Sequence, residues 1–423
     1  MGCSPEWHTF QSNNARTGLV NRPEIHSPQI AWKTYIGIQG YLNNSIIVSN
    51  NIFVGSSGSE HNASDSLDGI YCLNKENGSI IWHFKTLSDA CGVAYANNNI
   101  YTTGDDGYLR CINASTGLEK WSIKREGEVY SQPLIMNNTV IIGDESGTIL
   151  MVNKNNGKII VEKKIADSNI RGGLSSDGKY MYAAFVEGKI VCLDLKGNSV
   201  WESTPEFHGE HGEDFKSIYG APTIAGNQLI VPFVRSTYYD MPAVYAFNKT
   251  NGKLLWKATD NGYKPLHGNI RSSVAVSNDA IFYGSPYSNT LTILGLKDGK
   301  LVNEIPMGEA TDPHWSSPVI TNNTLYLGRY DGGLNAIDVE KQEVIWQLFL
   351  GDHNAIEKRP KEYGNHNMRY APRKDTIFSV FSTPSIDKNG NIYVGSGEGW
   401  LYAIKNKKTL SNKKQKVLKR LEE

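Results

Sequence analysis

Short apolar runs recur along the whole chain, each broken by a polar turn rich in Asn, Asp and Gly. In one stretch SSPVIT, TLYLGRY, GLNAIDV and EVIWQLFL are separated by Asn-Asn, by Asp-Gly-Gly and by a third polar turn. β-Branched and aromatic runs between such turns read as strands joined by hairpins. The four-run unit returns about every 40 residues, the period of a four-stranded propeller blade.

Aligning the units exposes the repeat. The turn residues Gly78, Gly117, Gly157, Gly197, Gly252, Gly299 and Gln342 are each followed four positions later by Trp82, Trp121, Val161, Trp201, Trp256, Asn303 and Trp346. Five of these seven are Trp in a chain that holds only nine, so chance is excluded. A slot just before each turn carries Cys72, Cys111, Met151, Cys192, Ala246, Ile293 and Ala336. Glycine permits a turn with positive φ, and an indole four residues on can cover the joint between neighbouring sheets. An eighth unit is split. Three strands lie in VFSTPSID, GNIYVGSG and WLYAIKN, and the fourth is PQIAWKTYI near the start, with Trp32 in the Trp position. The expectation is an all-β, eight-bladed propeller of four-stranded antiparallel blades, closed by an N-terminal strand that removes the open edge.

Composition narrows the function. The 423 residues carry 43 Lys and Arg against 43 Asp and Glu, so the basic footprint of a nucleic-acid binder is missing. No apolar stretch is long enough for a transmembrane helix. The five cysteines include no CxxC and no adjacent pair, which points to structural thiols and a cytoplasmic, monomeric ring. The alternative is a periplasmic or outer-membrane lipoprotein acylated at Cys3, if a signal peptide has been removed. No GxSxG, HExxH or GxxxxGK[ST] appears.

The repeats resemble the PQQ-like family, with its Ala-x-Asp-x-x-Thr-Gly-x-x-x-Trp pattern. The opening Trp7-His8-Thr9-Phe10 and Asn14-Ala15-Arg16-Thr17-Gly18 are similar to that family's lead-in. Asn74, Asn113, Asn153 and Asn248 replace the Asp, and Val161 and Asn303 the Trp. The resemblance implies a lead-in at 1–27, the propeller at 28–408 and a basic tail at 409–423. The family holds quinoprotein alcohol dehydrogenases and non-catalytic propellers of the BamB type, so fold alone leaves function open.

In a four-stranded blade, lettered A to D from the axis outward, the B–C turn and the D–A link share one face. All the long insertions fall on those two connections, along with seven of the ten histidines, including His61, His208 and His211. One-sided elaboration of a rigid scaffold marks a binding face. The start of each strand A then lines the channel mouth on that face, giving Cys91, Tyr130, Arg171, Tyr219, Arg271, Trp315 and Phe381. Aromatic faces and guanidinium forks suit a protein or peptide partner, or a small anionic or aromatic ligand. The competing expectation is that large residues simply plug the channel. His208, His211 and Glu213 form a candidate metal loop, although no helical spacing fixes them.

The resemblance implies, for a dehydrogenase, PQQ with calcium over a vicinal disulfide; here Cys91 is followed by Gly92 and no Cys-Cys exists. The leading expectation is therefore a non-enzymatic scaffold with no cofactor, and a quinone-binding enzyme is the alternative.

Overall fold

The computed structural model describes residues 6–40, 43–61, 63–205, 217–234, 243–260, 264–265, 270–277, 279–285, 289–308, 315–351 and 380–407. Eight four-stranded antiparallel blades form a closed propeller. In the first, strands A to D are Ile46–Val48, Asn51–Ser56, Gly69–Asn74 and Ile80–Lys85. The next six follow in sequence order. The eighth combines Ser385–Ile386, Ile392–Gly395 and Trp400–Asn406 with Pro28–Tyr35 as its outer strand. The split unit thus closes the ring as its pattern predicts, with Trp32 opposite Ala403. One core cluster runs across the closure, joining Ile404 and Tyr393 of blade eight to Ile47 and Phe53 of blade one.

Strands B and C are almost wholly buried, because a neighbouring blade covers each face. The D strands depart from that pattern. They alternate between half-buried and exposed residues, since among the described residues no further strand covers them. Ile80, Ile81, Leu254 and Leu255 are accordingly solvent-facing apolar residues on an outer edge.

Five of the eight seams between blades share one repeated contact. The Trp of strand D lies on the C–D turn glycine of the next blade, so that a Cβ on Gly299 would stand 2.2 Å from the Trp256 ring and one on Gly252 2.5 Å from Trp201. Both glycines have positive φ, 70° and 72°, so a side chain there meets backbone strain as well as the indole. The indole Nε1 donates across the seam to a carbonyl of the same turn: Trp32 to Lys75 (3.1 Å), Trp82 to Ala114 (3.1 Å), Trp121 to Lys154 (3.2 Å) and Trp201 to Lys249 (2.9 Å). Trp346 has no hairpin ahead of it. It donates instead to Ile25 O (2.6 Å), just before the closing strand.

Register explains the small-residue slot. Cys72, Cys111, Cys192, Ala246, Ala336 and Ala403 pair directly with the Trp of the adjacent strand D. Where the Trp is lost the slot is larger: Met151 faces Val161 and Ile293 faces Asn303. At the second of these seams Asn303 Nδ2 donates to Gln342 Oε1 at 2.8 Å, and Gln342 holds the left-handed turn position with φ 57°. The two departures from the repeat are therefore volume-compensated seams, not damaged ones.

The lead-in crosses the channel at its A–B end. Trp7 and Ile47 exchange backbone bonds in blade one, and Tyr95 N donates to His8 O in blade two. Asn14 Nδ2 reaches Ile135 O in blade three. Ser176, Ile224, Val276 and Ile320 of blades four to seven donate to Asn14, Ala15, Thr17 and Gly18 in turn. Leu19–Val20 then adds to blade seven as a parallel strand. At the centre Arg16 is fully buried. Its guanidinium donates to Thr9 Oγ1 (2.7 Å), Phe10 O (2.8 Å) and Leu174 O (3.2 Å). Burial pulls its pKa down to about 9, which leaves it charged at neutral pH.

Seam chemistry is testable at blade six. Asn303→Trp alone should destabilise by about 2 kcal/mol, because Gln342 and Ile293 occupy the indole's seat. Adding Ile293→Ala and Gln342→Gly should return urea-unfolding stability to at least that of the parent. Purely additive losses across the three changes would show that the seam is not a unit.

Candidate functional site

The start of strand A is held open by hydroxyl chemistry. The serine one position after the mouth residue turns back into its own blade: the hydroxyls of Ser131, Ser316 and Ser382 accept from the N–H of Gly143 (2.9 Å), Gly328 (3.3 Å) and Gly395 (2.7 Å), each the last residue of strand B. The next hydroxyl ties blade to blade. Ser273, Ser317 and Thr383 accept from Ala221 N (2.8 Å), Ser273 N (3.1 Å) and Ser317 N (3.3 Å). Where the serine is replaced by glycine the strands touch directly, and a Cβ on Gly172 would stand 2.2 Å from Ala221 N.

Above this collar the mouth residues form a continuous stack. The Arg171 guanidinium sits 4.6 Å from the Tyr130 ring and 5.0 Å from that of Tyr219. Arg271 sits 5.6 Å from Tyr219 and 4.6 Å from Trp315. Trp315 meets Phe381 at 5.4 Å, and Phe381 meets Tyr330 at 5.5 Å. Six of the seven residues placed at the mouth by strand spacing are thus neighbours in one arc over blades three to eight. Trp315 and Phe381 are buried, whereas Tyr130, Arg171, Tyr219 and Arg271 are half-buried. A guanidinium held against aromatic faces gains up to about 2 kcal/mol per desolvated face.

Cys91 stands apart from the arc. Its thiol donates to Asp105 Oδ1 (3.0 Å) in an acidic sector of blades one to three. His61 Nδ1 lies 2.9 Å from Asp89 Oδ2, and Tyr130 OH donates to Glu128. Burial, reinforced by Asp89 and Glu128, pushes the Asp105 carboxyl up to about 7, while burial and Glu145 raise Glu128. Burial and the Asp105 charge push the Cys91 thiol up, so it is no thiolate nucleophile at neutral pH. Strand spacing missed Asp105 and Tyr330, which lie one and two positions past the glycine that ends strand B (Gly104, Gly328), at the start of the B–C turn.

Other sequence expectations fare differently. His208, His211 and Glu213, Cys3 and the tail 409–423 lie outside the described residues. Among the described residues, no cluster of three or more His, Cys, Asp or Glu side chains is placed to hold a metal ion. The residues present do not fit a quinone over a vicinal disulfide: a Cβ on Gly92 would lie 2.9 Å from the Gln132 backbone, so the position after Cys91 has no room for a second thiol. A plug does exist, but the N-terminal arm supplies it, at the opposite end from the mouth.

The acidic sector makes stability depend on pH. The folded state holds the Asp105 proton up to about pH 7, whereas the unfolded chain releases it near 3.8, so stability falls as pH rises between these values. Asp105→Asn should therefore raise unfolding stability at pH 8 by on the order of 2 kcal/mol, and match the parent near pH 4. An equal effect at both pH values would contradict this.

Comparison with known proteins follows the geometry. A family model described as outer membrane protein assembly factor BamB matches residues 66–231 and 145–358. The BamB of Shewanella oneidensis is 21% identical over 279 residues, 64% of this chain and 66% of that protein; the match thus spans just under two thirds of this relative's length. The crystal structure of BamB from Moraxella catarrhalis superposes with TM-score 0.64 at 14% identity, covering 91% of this chain and 99% of that one. A europium-containing methanol dehydrogenase superposes equally well, with TM-score 0.66 at 14% identity over 95% and 98% of the two chains, so backbone shape does not separate scaffold from enzyme. The cytoplasmic placement expected above is overturned, since the matched family and relative are named for outer membrane assembly. Cysteine usage misled because Cys72, Cys111 and Cys192 are buried packing residues opposite Trp, too dispersed to pair in any compartment. With the model covering most of the ring, the chain belongs to the PQQ-like propeller family described as outer membrane protein assembly factor BamB.

Proposed function

We propose that this protein is a non-enzymatic scaffold of the bacterial envelope, which holds a protein partner of outer membrane assembly across the mouth of its channel. The observation that carries this reading is the stacked arc Tyr130–Arg171–Tyr219–Arg271–Trp315–Phe381. Large rigid aromatics and arginines are the residue types that dominate binding energy at protein interfaces. The serine collar fixes their positions before any partner arrives, which lowers the entropy cost of capture. The arm already occupies the far end of the channel.

The other face is a poorer candidate. Its C–D turns are short, and their glycines and carbonyls already serve the seams.

Arg271→Ala with Trp315→Ala should reduce retrieval of the partner from detergent-solubilised outer membranes at least tenfold; loss of the buried Trp315 ring also lowers the melting temperature by several degrees, and retrieval is compared below that melting temperature. Unchanged retrieval by a folded variant would contradict the reading.

A further inference from the structure

Exposed aliphatic side chains gather at the arm end of the ring. Between the C–D turn glycine and the Trp position lie Ile159 and Ile160 in blade three, Val200 in blade four, and Leu254 and Leu255 in blade five. Leu195 stands on the blade-four turn itself. Each of the six is between 41% and 54% exposed. The seams do not demand them, since blade two holds Glu119 and Lys120 at the positions of Leu254 and Leu255. Single exposed aliphatics are ordinary. These six sit on turns that the seams hold side by side. A Cβ on Gly197 of blade four would lie 2.9 Å from Val161 of blade three, and Trp201 Nε1 of blade four donates to Lys249 O of blade five at 2.9 Å. Lys249 Nζ in turn pairs with Asp177 of blade four at 2.9 Å.

Charge singles out the same arc. The A–B and C–D turns of blades three to five carry Lys154, Lys158, Lys179, Lys196, Lys249 and Lys253 against only Asp177 and Asp194. Asp177 is taken by Lys249, and Asp194 accepts from the backbone of Lys196 and Asn198 within its own turn. Lys158, Lys196 and Lys253 are exposed, and their ammonium groups make no hydrogen bond or ion pair among the described residues. On blades six and seven the sign reverses, with three lysines against five carboxylates on the corresponding turns.

The residue types discriminate between partners. Protein interfaces favour aromatic residues and arginine and are poor in lysine. Lysines interleaved with aliphatics suit a negatively charged lipid surface, where apolar side chains enter the headgroup boundary and ammonium groups meet the phosphates. We propose that the arm end of blades three to five is a docking surface for an anionic phospholipid bilayer, with the six aliphatic side chains at the headgroup boundary and Lys158, Lys196 and Lys253 against the lipid phosphates. The mouth lies at the opposite end, so a ring docked this way turns its aromatic–arginine arc away from the lipid.

The test is co-sedimentation of the full chain with vesicles of mixed phosphatidylcholine and phosphatidylglycerol, against vesicles of phosphatidylcholine alone. Binding to the mixed vesicles should be at least tenfold tighter and should be lost in about 1 M salt, where the screening length is about 3 Å. Lys158→Glu with Lys253→Glu should weaken it at least tenfold. Lys297→Glu with Lys341→Glu makes the same change of net charge on blades six and seven and should leave binding within twofold. Leu254→Glu with Leu255→Lys keeps the net charge, installs the pair that blade two already carries, and should weaken binding several-fold with little change in melting temperature. If that variant misfolds, Ile159→Glu with Ile160→Lys makes the same measurement on blade three. Equal losses from the two lysine pairs would trace binding to net charge or to the lysine-rich tail and overturn the proposal. Undiminished binding by the blade-five variant, with polyphosphate competing, would assign the arc to a soluble polyanion and overturn it too. Should Lys158 and Lys253 be needed for retrieval of the membrane partner but not for vesicle binding, the arc belongs to a protein and the proposal fails. Arg271→Ala with Trp315→Ala should bind vesicles as the parent does, so failure of the docking surface and failure of the partner reading are told apart.

Discussion

The seam between blades is the constraint on which everything else depends. A four-stranded sheet has two apolar faces and cannot bury either alone, so each blade needs a neighbour at a fixed angle. The indole of one strand D supplies that angle by lying on a turn whose glycine leaves room for the ring and by bonding the same turn through Nε1. A hydrogen bond of this kind contributes about 1 kcal/mol, and the buried ring adds more. Repeated around the ring, the contact fixes blade spacing, and spacing fixes where each strand A begins. The mouth is the sum of those starting points.

Closure makes the repeat a single cooperative object. The outer strand of blade eight comes from the N-terminal side, and the same segment then supplies the arm that touches blades one to seven. Lys75 locks this junction, with its ammonium 3.0 Å from Glu6 and 3.6 Å from Asp387 of blade eight. The arm at one end and the aromatic–arginine arc at the other give the ring a polarity that an array of identical blades would lack.

The ring and its seams were legible in the sequence because they repeat. A residue type at a fixed offset, seen in Trp82, Trp121, Trp201, Trp256 and Trp346, reports a contact that must recur once per blade. The arc from Tyr130 to Phe381 was reached through the same repetition, by aligning where each strand A starts. Asp105 and Tyr330 were not, because they sit on turns whose residues vary between blades. The role of Arg16 was hidden too. It occurs once, and its bonds go to backbone atoms more than 150 residues away as well as to its own segment, which no local pattern records. Compartment was misread because thiols buried for volume carry no redox message.

Amide hydrogen exchange with and without the solubilised outer membrane partner tests the account most directly. Slowed exchange should be confined to the strand A starts around residues 130, 171, 219, 271 and 315, with the C–D turns around 75, 154 and 249 unchanged. Protection of those turns with no change at the mouth would contradict it.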